Sequence, residues 1–269
     1  MTKGRWISRK MGPSAVRDAS LVIEPGETLA LVGESGSGKT TIARAITGLV
    51  RPSEGSIRYE DADITDVPAR RRSQAVRREI QYVFQNPDSS LNPKRSVGYS
   101  LSRPLQLFFG LSGRELFSRV NELLAATHLD ADYRYRFPRQ LSGGERQRVA
   151  LARALAAEPR VIVCDEIASA LDVSVQANIL DLLMDLQRRL GIAYLFISHD
   201  LAVVRWLAHR VTVLHRGTIV EEGTAEKVFT PPYHRYTRTL IESVPKPHPD
   251  RSLLSASQSA TRAGSDATA

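Results

Sequence analysis

Two short stretches carry residues whose types and spacing suit phosphate chemistry: "GESGSGKTT" at 33–41 and "QLSGGERQR" at 140–148. In the first, Gly33, Glu34, Ser35, Gly36, Ser37, Gly38, Lys39 and Thr40 match G-x-x-x-x-G-K-[ST], directly after the apolar run "TLALV" and at the start of a helical pattern. Glycines let the backbone wrap so that successive N–H groups face phosphate oxygens, and the helix that follows adds its positive end. Lys39 can reach the β- and γ-phosphates, and the Thr40 hydroxyl can ligate Mg²⁺. These residues predict a nucleotide site. In the second stretch, Ser142, Gly143 and Gly144 open the helical pattern "GERQRVALARALAA", bringing N–H groups, a hydroxyl and a helix dipole to one point with no lysine.

Carboxylates for such a site stand at the end of the apolar run "VIVCDE", 161–166. The carboxyl ends of strands are where open α/β sheets bind ligands. Asp165 suits Mg²⁺, directly or at one remove, and adjacent Glu166 suits a base that polarises an attacking water. His199 in "FISHD" and Gln85 in "YVFQNPDSSLNP" also end apolar runs. Taken alone, His199 reads as a satisfied core residue and Gln85 as a weak Mg²⁺ or water contact.

The elements that must position these groups alternate along the chain. "SLVIEPGETLALVG" reads as strand, turn, strand; "TTIARAITGLV" as a helix ending near Gly48; "EGSIRYED" and "EIQYVFQ" as strands. From 92 to 138 the pattern is helical, an insertion whose subdomain extends to about 158 once "GERQRVALARALAAEP" is included. Then come "RVIVCDE" as strand, "SVQANILDLLMDLQRRLG" as helix, "AYLFISHD" as strand, "LAVVRWLAH" as helix and "RVTVLHRGTIVEEG" as a hairpin. Continuous apolar strands alternating with helices predict a mostly parallel sheet covered on both faces. A nucleotide-binding domain over 1–244 is expected, with a disordered tail, rich in Ser, Ala and Thr, over 245–269.

Composition narrows the class. No apolar run in the 269 residues approaches the ~18–20 needed to cross a bilayer, and "MTKGRWISRK" is no signal peptide. The single Cys164 excludes an internal disulfide or a cysteine-ligated cluster. A net charge of +8 invites a nucleic-acid reading, but the arginines are spread, with one cluster at "ARRRSQAVRR" (69–78). That cluster reads first as a solvated basic helix face, next as a contact for anionic lipid or an acidic partner.

Together these motifs resemble the ATP-binding subunit of an ABC transporter. The resemblance covers a Walker A motif ending in Thr40 and Thr41, a Q-loop glutamine at Gln85 and the signature "LSGGERQR" at 141–148. It continues through Walker B at 161–166, a D-loop "SALD" ending in Asp172 and a switch histidine at His199. "FQNPDSSLNP", "LDVSVQANILDLL" and "PPYHRYTRTLIESVP" are similar to the oligopeptide/dipeptide/nickel importer branch. The resemblance implies an ABC ATPase fold: a RecA-like P-loop core with a mostly parallel sheet, an antiparallel β subdomain and an inserted helical subdomain. It implies ATP and Mg²⁺ as ligands, and raises Gln85 and His199 to γ-phosphate and water-positioning roles. It further implies that the signature, too weak to hold a nucleotide alone, completes the ATP site of an opposite subunit. The implied partners are that second ATPase subunit, identical or paralogous, membrane permease subunits and an external solute-binding protein, with no nucleic acid. The implied place is the cytoplasmic face of a bacterial membrane, and the cargo peptides or a related solute, nickel included.

The pattern departs from the family in places. Ile167 and Ala168 follow Glu166 where the family has Pro-Thr, and Arg235 follows His234 in place of proline. Only five residues precede Trp6, the candidate for stacking on adenine, where relatives have a full strand; an ordinary packing tryptophan is the competing reading. Two other classes share some of these motifs: the ATPase component of a soluble system such as carbon–phosphorus lyase, and non-transport ABC ATPases.

Overall fold

The computed structural model describes residues 15–169 and 171–243. Trp6 and the tail after 245 lie outside the described residues. In chain order the elements are β1 (Thr28–Val32), α1 (Lys39–Ile46), β2 (Arg58–Tyr59), β3 (Ala62–Asp63), α2 (Gln74–Glu79) and β4 (Ile80–Val83). There follow α3 (Val97–Phe109), α4 (Gly113–Ala126), α5 (Gly143–Leu155), β5 (Val161–Asp165), α6 (Val173–Leu190) and β6 (Ala193–Ile197). The described chain ends with α7 (Leu201–Leu207), β7 (Arg210–His215), β8 (Thr218–Thr224), α8 (Ala225–Val228) and α9 (Arg235–Ser243).

Six strands form one sheet in the order β4-β5-β6-β1-β7-β8. Its first five strands run parallel, and β8 returns antiparallel on β7 through a tight hairpin. The central strands are apolar at nearly every position because both faces are covered. Alternate side chains divide between two layers. Leu29, Leu31, Val163, Leu195, Ile197 and Leu214 meet Ile42 and Ala43 of α1 on one face. Ala30, Val32, Ile162, Cys164, Tyr194 and Phe196 face α5, α6 and α7 on the other. Val97, Leu101 and Leu105 of α3 and Val120, Leu123 and Leu124 of α4 continue that second core away from the sheet.

Two expectations change. The run "SLVIE" is not a strand among the described residues: its backbone is irregular, and the nearest bridge, between Asp18 and Thr218, falls two residues before it. Its alternation is nevertheless used, since Leu21 and Ile23 pack against the α1 face of the sheet. The antiparallel part separate from the main sheet is correspondingly small, the pair β2–β3. In the arginine cluster, Arg72 is buried rather than solvated. Its guanidinium donates to the carbonyls of Ile46 at 2.5 Å and Ala45 at 3.4 Å, satisfying the open end of α1, and to Val67 at 3.0 Å.

Candidate functional site

Parallel pairing brings four of the candidate loops to the carboxyl ends of neighbouring strands. The register sets Leu31 beside Ile197, Ile197 beside Asp165, and Cys164 beside Val83. The loops after β1, β5, β6 and β4, carrying Lys39, Glu166, His199 and Gln85, therefore open on the same side.

The first loop is tightly enclosed. Gly33 has φ 148°, and a Cβ there would lie 2.0 Å from the Leu214 carbonyl oxygen, so the loop sits against the β7–β8 turn as closely as backbone allows. The amide of Gly217 in that turn donates to the Ser37 carbonyl at 2.9 Å. Gly38, at φ 110°, precedes the helix that begins with Lys39. Lys39 is buried, and its Nζ donates to the carbonyls of Gly33 at 2.7 Å and Glu34 at 2.8 Å. Burial pushes its pKa down, against the attraction of Glu166, Asp165 and Glu34. The Ser37 hydroxyl is buried without a hydrogen-bond partner among the described residues. A buried orphan hydroxyl, a cation and a helix N-terminus in one loop fit a phosphate group.

The carboxylates divide by strand parity. Asp165 shares its face of β5 with Val163, toward α1, and accepts from Thr40 Oγ1 at 3.3 Å. Tyr82 of β4, on the same side, donates its hydroxyl to the other Asp165 oxygen at 2.5 Å. Burial first, and then this bond, raise the phenol's pKa, so it stays a donor. Sequence reasoning missed Tyr82; period-2 alternation in "IQYV" was the available signal. Thr40, Asp165 and the Gln85 amide supply oxygen donors that fit a Mg²⁺ ion. Among the described residues no cluster of three or more His, Cys, Asp or Glu side chains could hold a metal by itself. Few protein ligands, with phosphate and water completing the set, is the usual arrangement for this cation.

Glu166 sits just past the strand with φ 49°, a left-handed conformation uncommon for this residue type, while its amide still pairs with the Ile197 carbonyl at 3.0 Å. Gln85 Nε2 donates to Glu166 Oε2 at 2.9 Å. His199 Nδ1 lies 3.6 Å from Glu166 Oε1, with the imidazole side chain 61 % exposed. Gln85, Glu166 and His199 are thus one constellation. Ile167 and Ala168 are both buried, and Ile167 joins the core. The turn behind Glu166 still forms: the Ser169 amide bonds the Glu166 carbonyl at 3.2 Å.

The second loop lies apart from Lys39's contacts. Ser142 caps α5 through a reciprocal capping box: its Oγ accepts from the Glu145 amide at 3.3 Å and its amide donates to Glu145 Oε2 at 2.7 Å. Tyr133 donates to the other Glu145 oxygen at 2.5 Å. The two glycines differ. A Cβ on Gly144 would meet Val175 Cγ1 of α6 at 2.4 Å, whereas one on Gly143 would make only ordinary contact, 3.4 Å from Leu171 Cδ2. Among the described residues nothing requires residue 143 to be glycine. Asp172, at the start of α6, is exposed, and its side chain makes no capping bond. Its neighbour Val173 is 84 % exposed.

A sheet of this order, with a phosphate loop after β1 and acids after β5, defines an ABC-type ATPase cassette. The chain belongs to the ABC transporter family, whose match spans residues 16–169. Residues 220–267 match the oligopeptide/dipeptide transporter C-terminal region. It is 48 % identical over 237 residues to the glutathione import ATP-binding protein of Escherichia coli (strain K12), covering 88 % of this chain and 38 % of that protein. It is 47 % identical over 243 residues to a protein of Brucella abortus (strain 2308) whose provisional name is peptide import ATP-binding protein, covering 90 % of this chain and 71 % of that one. The chain therefore spans about two-fifths of the length of the glutathione import relatives it matches. Among solved structures it is similar to the ATP-binding cassette MJ0796, in a dimeric post-hydrolysis state bound to ADP and phosphate. The TM-score there is 0.72 at 32 % identity, covering 81 % of this chain and 94 % of that one. The Clostridium perfringens protein cbiO1, part of an ABC transporter complex, gives 0.72 at 30 % identity, covering 80 % and 84 %.

Proposed function

We propose that this chain is the ATP-hydrolysing subunit of an importer for peptides or a related small solute. Its work is done at two ATP sites shared between two such subunits. The observation that carries the reading is the asymmetry of the two loops. One has a buried lysine and an orphan hydroxyl; the other has an exposed serine and a glycine that its own chain does not need. The second loop suits a nucleotide brought to it by another molecule.

Within one chain, Gly33–Thr41 holds the phosphates, Lys39 keeping its bond to the Gly33 carbonyl while its remaining N–H groups reach the β- and γ-oxygens. Thr40, Asp165 and Gln85 hold Mg²⁺, which when bound neutralises developing charge on the phosphates. Glu166 takes up a proton from water, with Gln85 and His199 fixing its orientation, and Ser142, Gly143 and Gly144 of the partner, with Asp172, close the site. Trp6 is the proposed adenine stack. ATP bound by both faces favours the closed pair, and its loss on hydrolysis releases it. The segment after Gln85 and helices α3 and α4 transmit this cycle to permease subunits at the cytoplasmic face of the membrane, fed by a solute-binding protein. No helix among the described residues is long and apolar enough to cross a membrane, consistent with a peripheral motor.

The test is Glu166→Gln, which keeps the hydrogen bond from Gln85 geometrically possible but removes the base. With MgATP it is expected to sediment as a dimer, alone or beside its paralogue, and to return to monomer when ATP is removed. A protein that stays monomeric under both conditions refutes the shared-site reading.

A further inference from the structure

The C-terminal helix reaches back to the phosphate loop. Tyr236 of α9 is buried, and its hydroxyl accepts from the backbone N–H of Glu34, 202 residues earlier, at 3.0 Å. The ring is held in place from two sides. It stacks on His215 with centroids 3.9 Å apart and planes 25° from parallel. Its own amide donates to His234 Nδ1 at 3.2 Å, and the His234 amide donates to Glu221 of β8 at 3.1 Å. Leu240 and Ile241 then pack the helix onto the core.

The N–H that Tyr236 receives belongs to the Gly33–Glu34 peptide, and the carbonyl of that same peptide accepts from Lys39 Nζ at 2.7 Å. In a trans peptide the N–H and C=O point in opposite directions across a rigid plane. Fixing one end therefore fixes the other. Gly33 needs the help: its φ of 148° is open to few residues other than glycine, and glycine by itself leaves the plane free to turn.

We propose that Tyr236 is a positioning residue for nucleotide binding: it orients the Gly33–Glu34 peptide and, through that plane, the ammonium of Lys39. The C-terminal element found in this branch of the family is then a strut behind the phosphate loop. This rests on the ATP-site reading above.

The test is Tyr236→Phe in the full chain, which keeps the ring, its burial and the stack on His215 while removing the hydroxyl. Ile241→Ala serves as the comparison, since it loosens the same helix without touching the loop. MgATP affinity is read by titration calorimetry, steady-state KM and kcat by phosphate release, and folding by Tm. One lost hydrogen bond at a loop that binds ground state and transition state alike is expected to raise Kd and KM about 3- to 10-fold, with kcat within about twofold. Ile241→Ala is expected to lower Tm and leave Kd unchanged. Wild-type binding with unaltered binding in Tyr236→Phe overturns the strut, as does an equal loss in Ile241→Ala. A wild-type chain that does not bind MgATP overturns the ATP-site reading itself.

Discussion

Replacing Gly144 by alanine separates the packing role of the signature glycines from their role toward a partner. A Cβ at 144 would stand 2.4 Å from Val175 Cγ1, where carbon atoms in contact rest about 3.5–4.0 Å apart. About an ångström or more must be found. Val175 lies in the first turn of α6 and, as a β-branched residue in a helix, has essentially one rotamer. Leaving it costs about 0.5–1.5 kcal/mol, and moving α5 off α6 instead costs about 1–3 kcal/mol. Alanine's helix propensity returns at most about 1 kcal/mol, less at the second residue of α5. The net expectation for Gly144→Ala is a loss of about 1–2 kcal/mol, or about 2–6 °C in Tm for a chain of this size. Val175→Ala removes the clashing methyl, so the double variant should recover stability, with a coupling of about 1–3 kcal/mol in a four-protein urea-unfolding cycle. Gly143→Ala provides the contrast. It should fold at least as well as the wild type, since its Cβ meets only the end of Leu171. In the Glu166→Gln background it should nevertheless abolish the ATP-dependent dimer that the Gly144→Ala/Val175→Ala pair retains. Additivity within about 0.5 kcal/mol in the cycle, or a dimer that survives Gly143→Ala, would refute the division of labour.

Two further expectations concern the same site. Tyr82→Phe removes one donor from buried Asp165 and should cost about 1.5–3 kcal/mol in urea unfolding, as expected for a hydrogen bond to a charged group; a change within error would mean that the contact contributes nothing. The Glu145 carboxyl is held below its ordinary pKa, first by the Tyr133 hydroxyl and then by the Ser142 amide. Its folded value is depressed, so its contribution is complete above the unfolded value of about 4.3 and is lost as pH falls through the lower folded one. The Tm difference between wild type and Glu145→Gln, followed from pH 7 to pH 3, should shrink toward acid, and a constant gap contradicts the assignment.

What the residues reveal in advance depends on how local the physics is. The loop 33–41, the buried strands and the helix opened by Ser142 were legible because each rests on neighbours within a few residues. Gln85, Glu166 and His199 could be named one by one, but their meeting depends on two parallel pairings, β4 with β5 and β5 with β6, which no single stretch encodes. The contacts of Tyr82 and Tyr236 were hidden for the same reason: their partners lie 83 and 202 residues away, and alternation at Tyr82 gives only its face of the strand. The failed strand at "SLVIE" has the opposite cause. Period-2 alternation reports which side chains are buried, and Leu21 and Ile23 are used that way; a strand also needs a neighbour to pair with. Arg72 failed similarly, since a basic run does not say which member turns inward to meet the carbonyls at the end of α1.

The two phosphate-type loops differ in what their own chain does with them. At 33–41 the main features have internal reasons: Gly33 clears the Leu214 carbonyl, and Lys39 is anchored on carbonyls that the back of the loop holds in place. At 142–144 the internal reasons run out one residue short. Gly144 is required by Val175, and Ser142 by the cap, yet Gly143 is answered by nothing among the described residues. Beside it Val173 and Asp172 stand exposed, one a large apolar side chain and the other a carboxylate with no capping bond. On the shared site proposed above, these residues face the nucleotide of a second subunit. The absence of a lysine at the second loop would then have a reason: the cation comes from the other subunit, and binding depends on both being present.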